Sequence, residues 1–244
     1  MKVLAIGNSF SQDATTYLHQ AAAAQGIDLK AVNLYIGGCS LETHWRNLLQ
    51  DEAAYELQIN GEATAEKVSI RHILSEGGWD AIVTQQASHD SGWRDTYEPF
   101  LGHLVQVLRR EAPTARLFLQ ETWAYEKDSD HWAFHRYHRD QQEMYERLRS
   151  NYAAEARAHG LTLIPCGDVI QRLRALPPFD VSNGGLSLCR DGFHMSLDLG
   201  RYTLALVWLK TICGASVAGN SYVPENGGPA ADSLLRLIRR EADR

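Results

Sequence analysis

The first element of the chain is encoded by Val3-Leu4-Ala5-Ile6-Gly7-Asn8-Ser9-Phe10-Ser11, an apolar run followed at once by glycine, asparagine and serine. A short continuous apolar run bounded by turn residues is typical of a buried strand. Serine and asparagine are favoured residues at the N-terminus of a helix. The stretch therefore predicts a buried β-strand that passes through a tight turn into a helix.

The same alternation of short apolar runs and helical periodicities continues along the chain. Strands are predicted over 3–6, 29–36, 80–84, 116–120 and 161–164, with a small hairpin excursion over 55–59. Helices are predicted over 15–25, 42–49, 63–75, 97–111, 131–159, 169–175, 196–212 and 231–241. Buried strands separated by helices indicate a parallel sheet covered on both faces. The predicted fold class is α/β, a three-layer α/β/α sandwich around a flavodoxin-like five-stranded parallel sheet of order 2-1-3-4-5, with 1–244 as a single domain.

Composition narrows the class of protein. The chain has 244 residues, of which 44% are hydrophobic and 22% charged, as in an ordinary globular protein. A net charge of −6 without a basic stripe argues against nucleic-acid binding. The four cysteines are far apart and form no C-x-x-C pair, which argues against a zinc knuckle and suits a reducing compartment. They are Cys39, Cys166, Cys189 and Cys213.

No apolar run is long enough to predict a membrane span, and Met1-Lys2 leads straight into the first strand without the features of a signal peptide. We therefore expect a cytoplasmic protein, although a chain trimmed of its leader would begin in the same way. Neither a cofactor nor a membrane partner is predicted, and nothing in the sequence specifies an oligomeric state.

A second motif, Asp191-Gly192-Phe193-His194, lies near the other end of the chain. Serine is a poor nucleophile unless a histidine takes its proton and a carboxylate orients the imidazole. Ser9, His194 and Asp191 supply these three groups. Each motif also has a structural interpretation, since Ser9 can cap the first helix and Asp191 can serve a turn. Their joint occurrence at opposite ends of a βα pattern favours catalysis.

These motifs resemble those of the SGNH (GDSL-type) hydrolases, in a divergent bacterial branch. Residues 7–11 resemble the first block, Gly37-Gly38 resembles the glycine block, and residues 191–194 resemble the terminal D-x-x-H. The resemblance extends from residue 2 to about residue 213. It implies Ser9 as nucleophile, His194 as base and Asp191 as its partner. It also implies an oxyanion hole in which the backbone N–H groups of Ser9 and Gly38 donate.

The third block departs from the family pattern. The family has G-x-N-D, with the asparagine in the oxyanion hole, whereas this chain has Gln85-Gln86-Ala87-Ser88-His89-Asp90. A glutamine amide can donate the same hydrogen bond, so Gln86 or Gln85 is predicted as the third donor, with Gln86 preferred. His89 is the alternative by position, and the glutamines can also be an ordinary polar strand end.

Polar and aromatic residues follow the third and fourth predicted strands, where a ligand binds in such sheets. Trp123, Glu121, His89 and Trp93 are predicted to contact substrate, and sugar rings stack on aromatic faces. Core packing is the alternative for the aromatic residues. His131, His135 and His138 have the spacing of metal ligands on a helix, but no carboxylate completes a motif. We expect no metal and interpret this segment as a substrate rim or surface helix.

The predicted function is hydrolysis of an acyl ester, acetyl above all, of a carbohydrate or small alcohol. The alternative is a non-catalytic or acyl-transferring domain of the same fold that binds a glycan or acyl ligand. The sequence does not specify the acyl chain length or the alcohol.

Overall fold

The computed structural model describes residues 1–224 and 232–244. Within them, seven strands form one sheet in the order β4-β3-β2-β1-β5-β6-β7. The strands are β1 (Lys2–Gly7), β2 (Lys30–Tyr35), β3 (Tyr55–Ile59), β4 (Glu62–Val68), β5 (Ala81–Thr84), β6 (Arg116–Gln120) and β7 (Thr162–Ile164). Strands β2, β1, β5, β6 and β7 are parallel and neighbours in that order. They are the five predicted strands in the predicted 2-1-3-4-5 order.

The prediction of a purely parallel five-stranded sheet was wrong at one edge. Strands β3 and β4 form an antiparallel hairpin beside β2, so the sheet is mixed and has seven strands in the described residues. The hairpin turns at Asn60 and Gly61, which both have positive φ, as the tightest hairpin turns require. A Cβ at Gly61 would lie 2.3 Å from the Thr16 carbonyl oxygen, so only glycine fits there.

Helices flank this sheet, as predicted for the α/β class. They are α1 (Ser9–Thr15), α2 (Leu18–Ala23), α3 (Leu41–Gln50), α4 (Ile70–Ser75), α5 (Phe100–Glu111), α6 (Gln141–His159), α7 (Cys166–Arg174), α8 (Leu199–Cys213) and α9 (Asp232–Ala242). The almost wholly buried α8 packs against α1, α2, α7 and α9, whereas α3 packs against α4 and α5. Of the helix predicted over 231–241, residue 231 lies outside the described residues.

Two other predicted helices differ from the structure. The segment 63–75 begins as edge strand β4, and only its end is helical. The segment 131–159 becomes α-helical only at Gln141. Before it lie a 3₁₀ turn over Trp132–Tyr137 and two residues of positive φ, His138 and Arg139. Asp140 then caps α6 by accepting hydrogen bonds from two backbone N–H groups of its first turn.

The helix predicted over 15–25 is also divided and begins earlier. Helix α1 starts directly at Ser9, and α2 follows after a short break. The carboxyl ends of the parallel strands therefore present Ser9 after β1, Gly37-Gly38 after β2 and Ser88-His89 after β5. Ligands of such sheets bind at this edge. Among the described helices, none has both the length and the apolar character needed to cross a membrane.

Candidate active site

Ser9 is the first residue of α1 and follows the buried strand β1 after a sharp turn. Asn8 caps the helix, and its side-chain oxygen accepts a hydrogen bond from the Phe10 N–H at 3.0 Å. The turn needs glycine at position 7, because a Cβ there would lie 2.5 Å from Ser11 Oγ. The first N–H groups of a helix have no intrahelical acceptor, so the Ser9 N–H can serve a ligand.

Ser9, His194 and Asp191 form a continuous hydrogen-bonded chain. His194 Nε2 lies 2.8 Å from Ser9 Oγ, and His194 Nδ1 lies 2.6 Å from Asp191 Oδ2. The other oxygen of Asp191 accepts from the backbone N–H groups of His194 at 2.7 Å and Phe193 at 3.2 Å. This oxygen closes the 191–194 turn while its partner faces the imidazole, so one carboxylate both shapes the loop and orients the ring.

Asp191 is held in its ionised form. Partial burial opposes ionisation, but the hydrogen bonds from the His194 ring and backbone outweigh it and lower the pKa of the Asp191 carboxyl. A carboxylate facing Nδ1 favours the tautomer with its proton on that nitrogen. His194 Nε2 is then free to accept a proton from Ser9.

A buried ion cluster connects α1 to the loop that carries His194. Asp13 is completely buried, and both its oxygens accept from Arg190 Nη1, at 3.0 and 3.1 Å. Arg201 Nε, from the first turn of α8, lies 2.8 Å from the same carboxylate. Two positive charges compensate the buried negative charge, as burial of a carboxylate requires. The cluster therefore joins the elements that carry the serine and the histidine.

A cavity of about 220 Å³ opens at Ser9 and His194. Gly37 and Gly38 lie along it, and Gly38 has φ +64°, a left-handed conformation that favours glycine. The remaining lining residues are Asn8, Phe10, Tyr35, Ser88, His89, His131 and Phe193. A larger depression of about 630 Å³ lies elsewhere, around Gln141 and Arg174, and contains no residue of the Ser9–His194–Asp191 chain.

The structure does not bring the two predicted glutamine donors to this cavity. Gln86 Nε2 donates to the carbonyl and hydroxyl oxygens of Thr96, at 2.8 and 3.1 Å, so both its amide protons are engaged. Gln85 Nε2 donates to Asn8 Oδ1 at 2.7 Å, deep in the molecule. Both side chains are buried, and their placement does not support the predicted oxyanion role.

Gln85 instead belongs to a row of buried amides below the site. Gln120 Nε2 donates to Gln85 Oε1 at 2.8 Å, and Asn8 Nδ2 donates to the Cys39 carbonyl at 3.0 Å. The row links the ends of β6, β5 and β1 to the turn after β2. It therefore supports the Asn8 cap and the glycine turn from beneath.

Of the four residues predicted to contact substrate, only His89 lines the cavity. Trp123 is fully buried, stacks on Phe10 with ring centroids 4.1 Å apart, and donates to the Phe193 carbonyl at 2.7 Å. Glu121 is fully buried beside Gly167, and Trp93 packs against Tyr137. Trp123 is therefore part of the core and not a platform for substrate. Its hydrogen bond to Phe193 supports the loop that carries His194.

Sequence reasoning did not select Ser88, Tyr35 or Phe193 as site residues, and it placed His131 in a segment interpreted as a substrate rim or surface helix rather than as a metal site. Ser88 is next to His89 in the third block, and Phe193 lies inside the Asp-x-x-His motif. Ser88 and Phe193 therefore each had a local signal in the sequence. His131 Nδ1 accepts from the Ala133 N–H, and burial and the neighbouring histidines lower the pKa of the His131 ring. His131 is therefore a neutral ring beside the cavity.

The three histidines with metal-ligand spacing face separate partners. His135 Nδ1 contacts the Trp132 carbonyl, and His138 Nδ1 lies 2.8 Å from Glu143. In the part of the chain that the structure describes, the group with ligand atoms close enough to hold an ion is Glu98, Glu155 and His159. His159 already bonds Glu98 at 2.6 Å, and Arg94 lies 3.3 Å from Glu155, which leaves little negative charge for a cation.

The fold is of the SGNH hydrolase class, as the resemblance in the sequence predicts. The chain is similar to a putative SGNH hydrolase from Slackia heliotrinireducens, with 22% identity, a TM-score of 0.60, and coverage of 87% of this chain and 98% of that chain. It is also similar to a catalytic mutant of an acetylxylan esterase from Geobacillus stearothermophilus, with 14% identity, a TM-score of 0.56, and coverage of 86% and 93%. At these identities the similarity concerns the fold.

Within this class, the chain belongs to the family described as domain of unknown function DUF4886, which matches residues 2–240. The chain is 35% identical in sequence to a DUF4886 family protein from Bacteroides uniformis whose crystal structure is known. The two structures match with a TM-score of 0.91, over 100% of this chain and 93% of that chain. Among curated proteins, none matches the chain significantly.

Proposed function

We propose that this protein is a serine esterase that removes a short acyl group, acetyl above all, from a carbohydrate or small alcohol. The observation that carries the proposal is the 2.8 Å contact between His194 Nε2 and Ser9 Oγ, with Asp191 behind the imidazole. A nucleophile, a base and an orienting carboxylate in hydrogen-bond contact are the requirements of nucleophilic acyl transfer.

The reaction runs in two halves. Ser9 Oγ attacks the ester carbonyl while its proton passes to His194 Nε2, and Asp191 stabilises the imidazolium that forms. Collapse of the tetrahedral intermediate breaks the C–O bond, and His194 gives its proton to the leaving alcohol. A water molecule then attacks the acyl-serine with His194 again as the base, which releases the acid and restores Ser9.

The tetrahedral intermediate carries a negative oxygen that needs preorganised donors. The backbone N–H of Ser9 lies at the start of α1, where the helix dipole also favours negative charge. The Gly38 N–H is the second donor, since its turn lines the same cavity and has no side chain to block a substrate.

Cavity size supports a short acyl group. Its volume of about 220 Å³ lies below the ~300–1,000 Å³ of pockets that enclose drug-sized ligands. The alcohol would then lie at the open rim, where Trp132 is 64% exposed. The ring centroid of Trp132 is 5.6 Å from those of His89 and His131, which both line the cavity. An exposed indole next to a polar cavity favours a sugar ring, whose C–H face stacks on aromatic rings.

The test is active-site labelling combined with turnover. A fluorophosphonate should label Ser9, and p-nitrophenyl acetate should be hydrolysed by wild type but at least ~10⁴-fold more slowly by Ser9→Ala. Ser150→Ala removes an exposed serine on α6 and should change neither result. Equal labelling of wild type and Ser9→Ala would refute the proposal.

The same assay separates this proposal from the other functions of such a site. Labelling of Ser9 with acetyl transfer to an added sugar, and no release of acetate, would indicate an acyltransferase. Binding without labelling would indicate a non-catalytic domain. Because a serine with its own base needs no metal, activity should survive dialysis against a chelator, and loss restored by zinc would contradict the mechanism.

A further inference from the structure

We propose that the hydroxyl of Ser88 is the third donor of the oxyanion hole, oriented by a hydrogen bond from Tyr125. The inference rests on the esterase function proposed above and assigns a role to a residue in the third block. The proposed oxyanion hole has two backbone donors, the N–H groups of Ser9 and Gly38, and Gln86 has no amide proton left to provide a third.

Ser88 has the position that this role requires. It follows β5 at the edge of the sheet where β1 presents Ser9, and it lines the same cavity as Ser9 and Gly38. Only 7% of the residue is exposed, so a hydrogen bond from its hydroxyl would be made away from bulk water. Such donors stabilise a developing charge more strongly than they would in water.

The partner of Ser88 determines which way its proton points. Ser88 Oγ lies 3.0 Å from the Tyr125 hydroxyl oxygen. Burial raises the pKa of Tyr125 above its ordinary value, so the phenol keeps its proton at neutral pH. A phenol is a stronger acid than an aliphatic alcohol, and the better donor of the pair is therefore Tyr125. When Tyr125 donates to Ser88 Oγ, the proton of Ser88 is free to point into the cavity.

Tyr125 cannot turn away easily, because aromatic rings pack around it. Ring centroids of His131, Phe134 and Phe193 lie 4.5, 5.7 and 5.7 Å from that of Tyr125. Tyr125 is fully buried, and its carbonyl accepts from Gln141 Nε2 at 2.9 Å. The orienting phenol is thus fixed before substrate arrives, as preorganised stabilisation requires.

The backbone on both sides of Ser88 is also fixed. Gln86 Oε1 accepts from the N–H of Ala87 at 2.8 Å and from that of Leu41 at 3.0 Å. Ser91 Oγ donates to the Ser88 carbonyl at 2.9 Å. Gln86 therefore acts as a positioning residue for the loop that carries Ser88.

His89, the alternative donor, lies at the rim of the cavity, beside Trp132. Its Nε2 is 3.5 Å from Asp90 Oδ2. Asp90 is itself held by Arg136 at 3.0 Å. His89 is thus placed to contact the alcohol portion of a substrate, while Ser88 is placed to contact the carbonyl oxygen.

The experiment compares Ser88→Ala, Ser88→Thr, Tyr125→Phe and His89→Ala on p-nitrophenyl acetate. Ser88→Ala should lower kcat ~10²-fold with KM within about twofold, the effect of losing a donor used in the transition state. Ser88→Thr keeps a hydroxyl and should recover part of that loss. Tyr125→Phe should lower kcat ~10-fold, since the Ser88 proton loses its fixed direction.

A second readout separates this role from a structural one. A trifluoromethyl ketone forms a tetrahedral adduct with the serine, so its affinity should fall by the same factor as kcat/KM in Ser88→Ala. Phosphonate labelling should still occur at Ser9. If Ser88→Ala keeps wild-type kcat and inhibitor affinity, or if only His89→Ala loses them, the assignment of Ser88 is overturned while the esterase stands. A wild type that neither labels nor turns over would overturn both.

Discussion

Asp13 Oδ2 accepts a hydrogen bond from the Met195 N–H at 2.9 Å, although 182 positions separate the two residues in sequence. Asp13 lies one helical turn after Ser9 on α1, and Met195 directly follows His194. The contact thus sets the distance between the proposed nucleophile and its base. Arg190 and Arg201 complete the cluster around the same carboxylate. The Asp13 side chain therefore compensates both positive charges and also sets the spacing of the site.

Replacing Asp13 by Asn should lower both stability and activity. The Met195 N–H can still bond to an amide oxygen, but Arg190 and Arg201 lose their counter-charge. We expect a loss of about 2–4 kcal/mol in the free energy of unfolding by urea, because breaking a buried ion pair leaves uncompensated charge. Asp28→Asn, an exposed change, is the control. Equal stability of Asp13→Asn and wild type would contradict this role.

Replacing Asp191 by Asn should remove most activity while leaving the fold intact. The amide oxygen can keep the backbone bonds to Phe193 and His194, but its NH₂ group would then donate to His194 Nδ1. That bond places the ring proton on Nε2, and a protonated Nε2 cannot accept the proton of Ser9. We expect kcat to fall ~10³–10⁴-fold with an unchanged unfolding temperature, measured on p-nitrophenyl acetate. A fall of less than tenfold would mean that Asp191 does not set the tautomer.

Trp132→Ala should distinguish sugar esters from small esters. If the exposed indole stacks on the alcohol, KM for an acetylated xyloside should rise ~3–10-fold, as expected for an aromatic contact of ~0.5–1.5 kcal/mol. KM for p-nitrophenyl acetate should stay within about twofold. Trp45→Ala is the control, because Trp45 packs on His103 between α3 and α5, does not line the cavity, and should leave both KM values unchanged. An equal rise for both esters would argue against stacking.

Glu121→Gln should stabilise the protein at neutral and alkaline pH. Burial raises the pKa of Glu121 well above its ordinary value, and the nearby charge of Asp168 adds to the shift. The folded state therefore favours the neutral Glu121 carboxyl group. The contribution of this group to stability is complete below its unfolded-state pKa of ~4.3 and is lost as pH rises through its folded-state pKa. The unfolding temperature of Glu121→Gln should exceed that of wild type at pH 8 and match it at pH 4.

For Glu121→Gln the matched control is Glu146→Gln, which changes an exposed carboxylate on α6. It should leave the unfolding temperature within about one degree of wild type at both pH values, since surface changes are usually small. An equal gain for Glu121→Gln at pH 4 and pH 8 would show that the ionisation of Glu121 is not the cause.

Local sequence pattern was enough to predict the central strands and the two motifs of the site, the one at Ser9 and the one at residues 191–194. Residues 3–6 are continuously apolar because parallel strands are buried on both faces, and Ser9 follows at a cap. Residues 191–194 form a turn whose aspartate bonds its own loop, so this motif is also local. Edge strand β4 was missed because Glu62–Val68 is largely exposed and contains Ala, Glu and Lys, which resemble a helix in sequence.

Only the tertiary structure decided which polar side chains of the third block reach the cavity. Gln85 and Gln86 lie just before Ser88 in sequence, but their amides bond to Asn8 at the start of α1, Gln120 from β6 and Thr96 from the following loop. The sequence alone determined that a serine follows the first strand and an Asp-x-x-His precedes the last buried helix. Their approach to hydrogen-bond distance depends on Asp13 and Arg190, because it requires a contact between distant segments that no local pattern encodes.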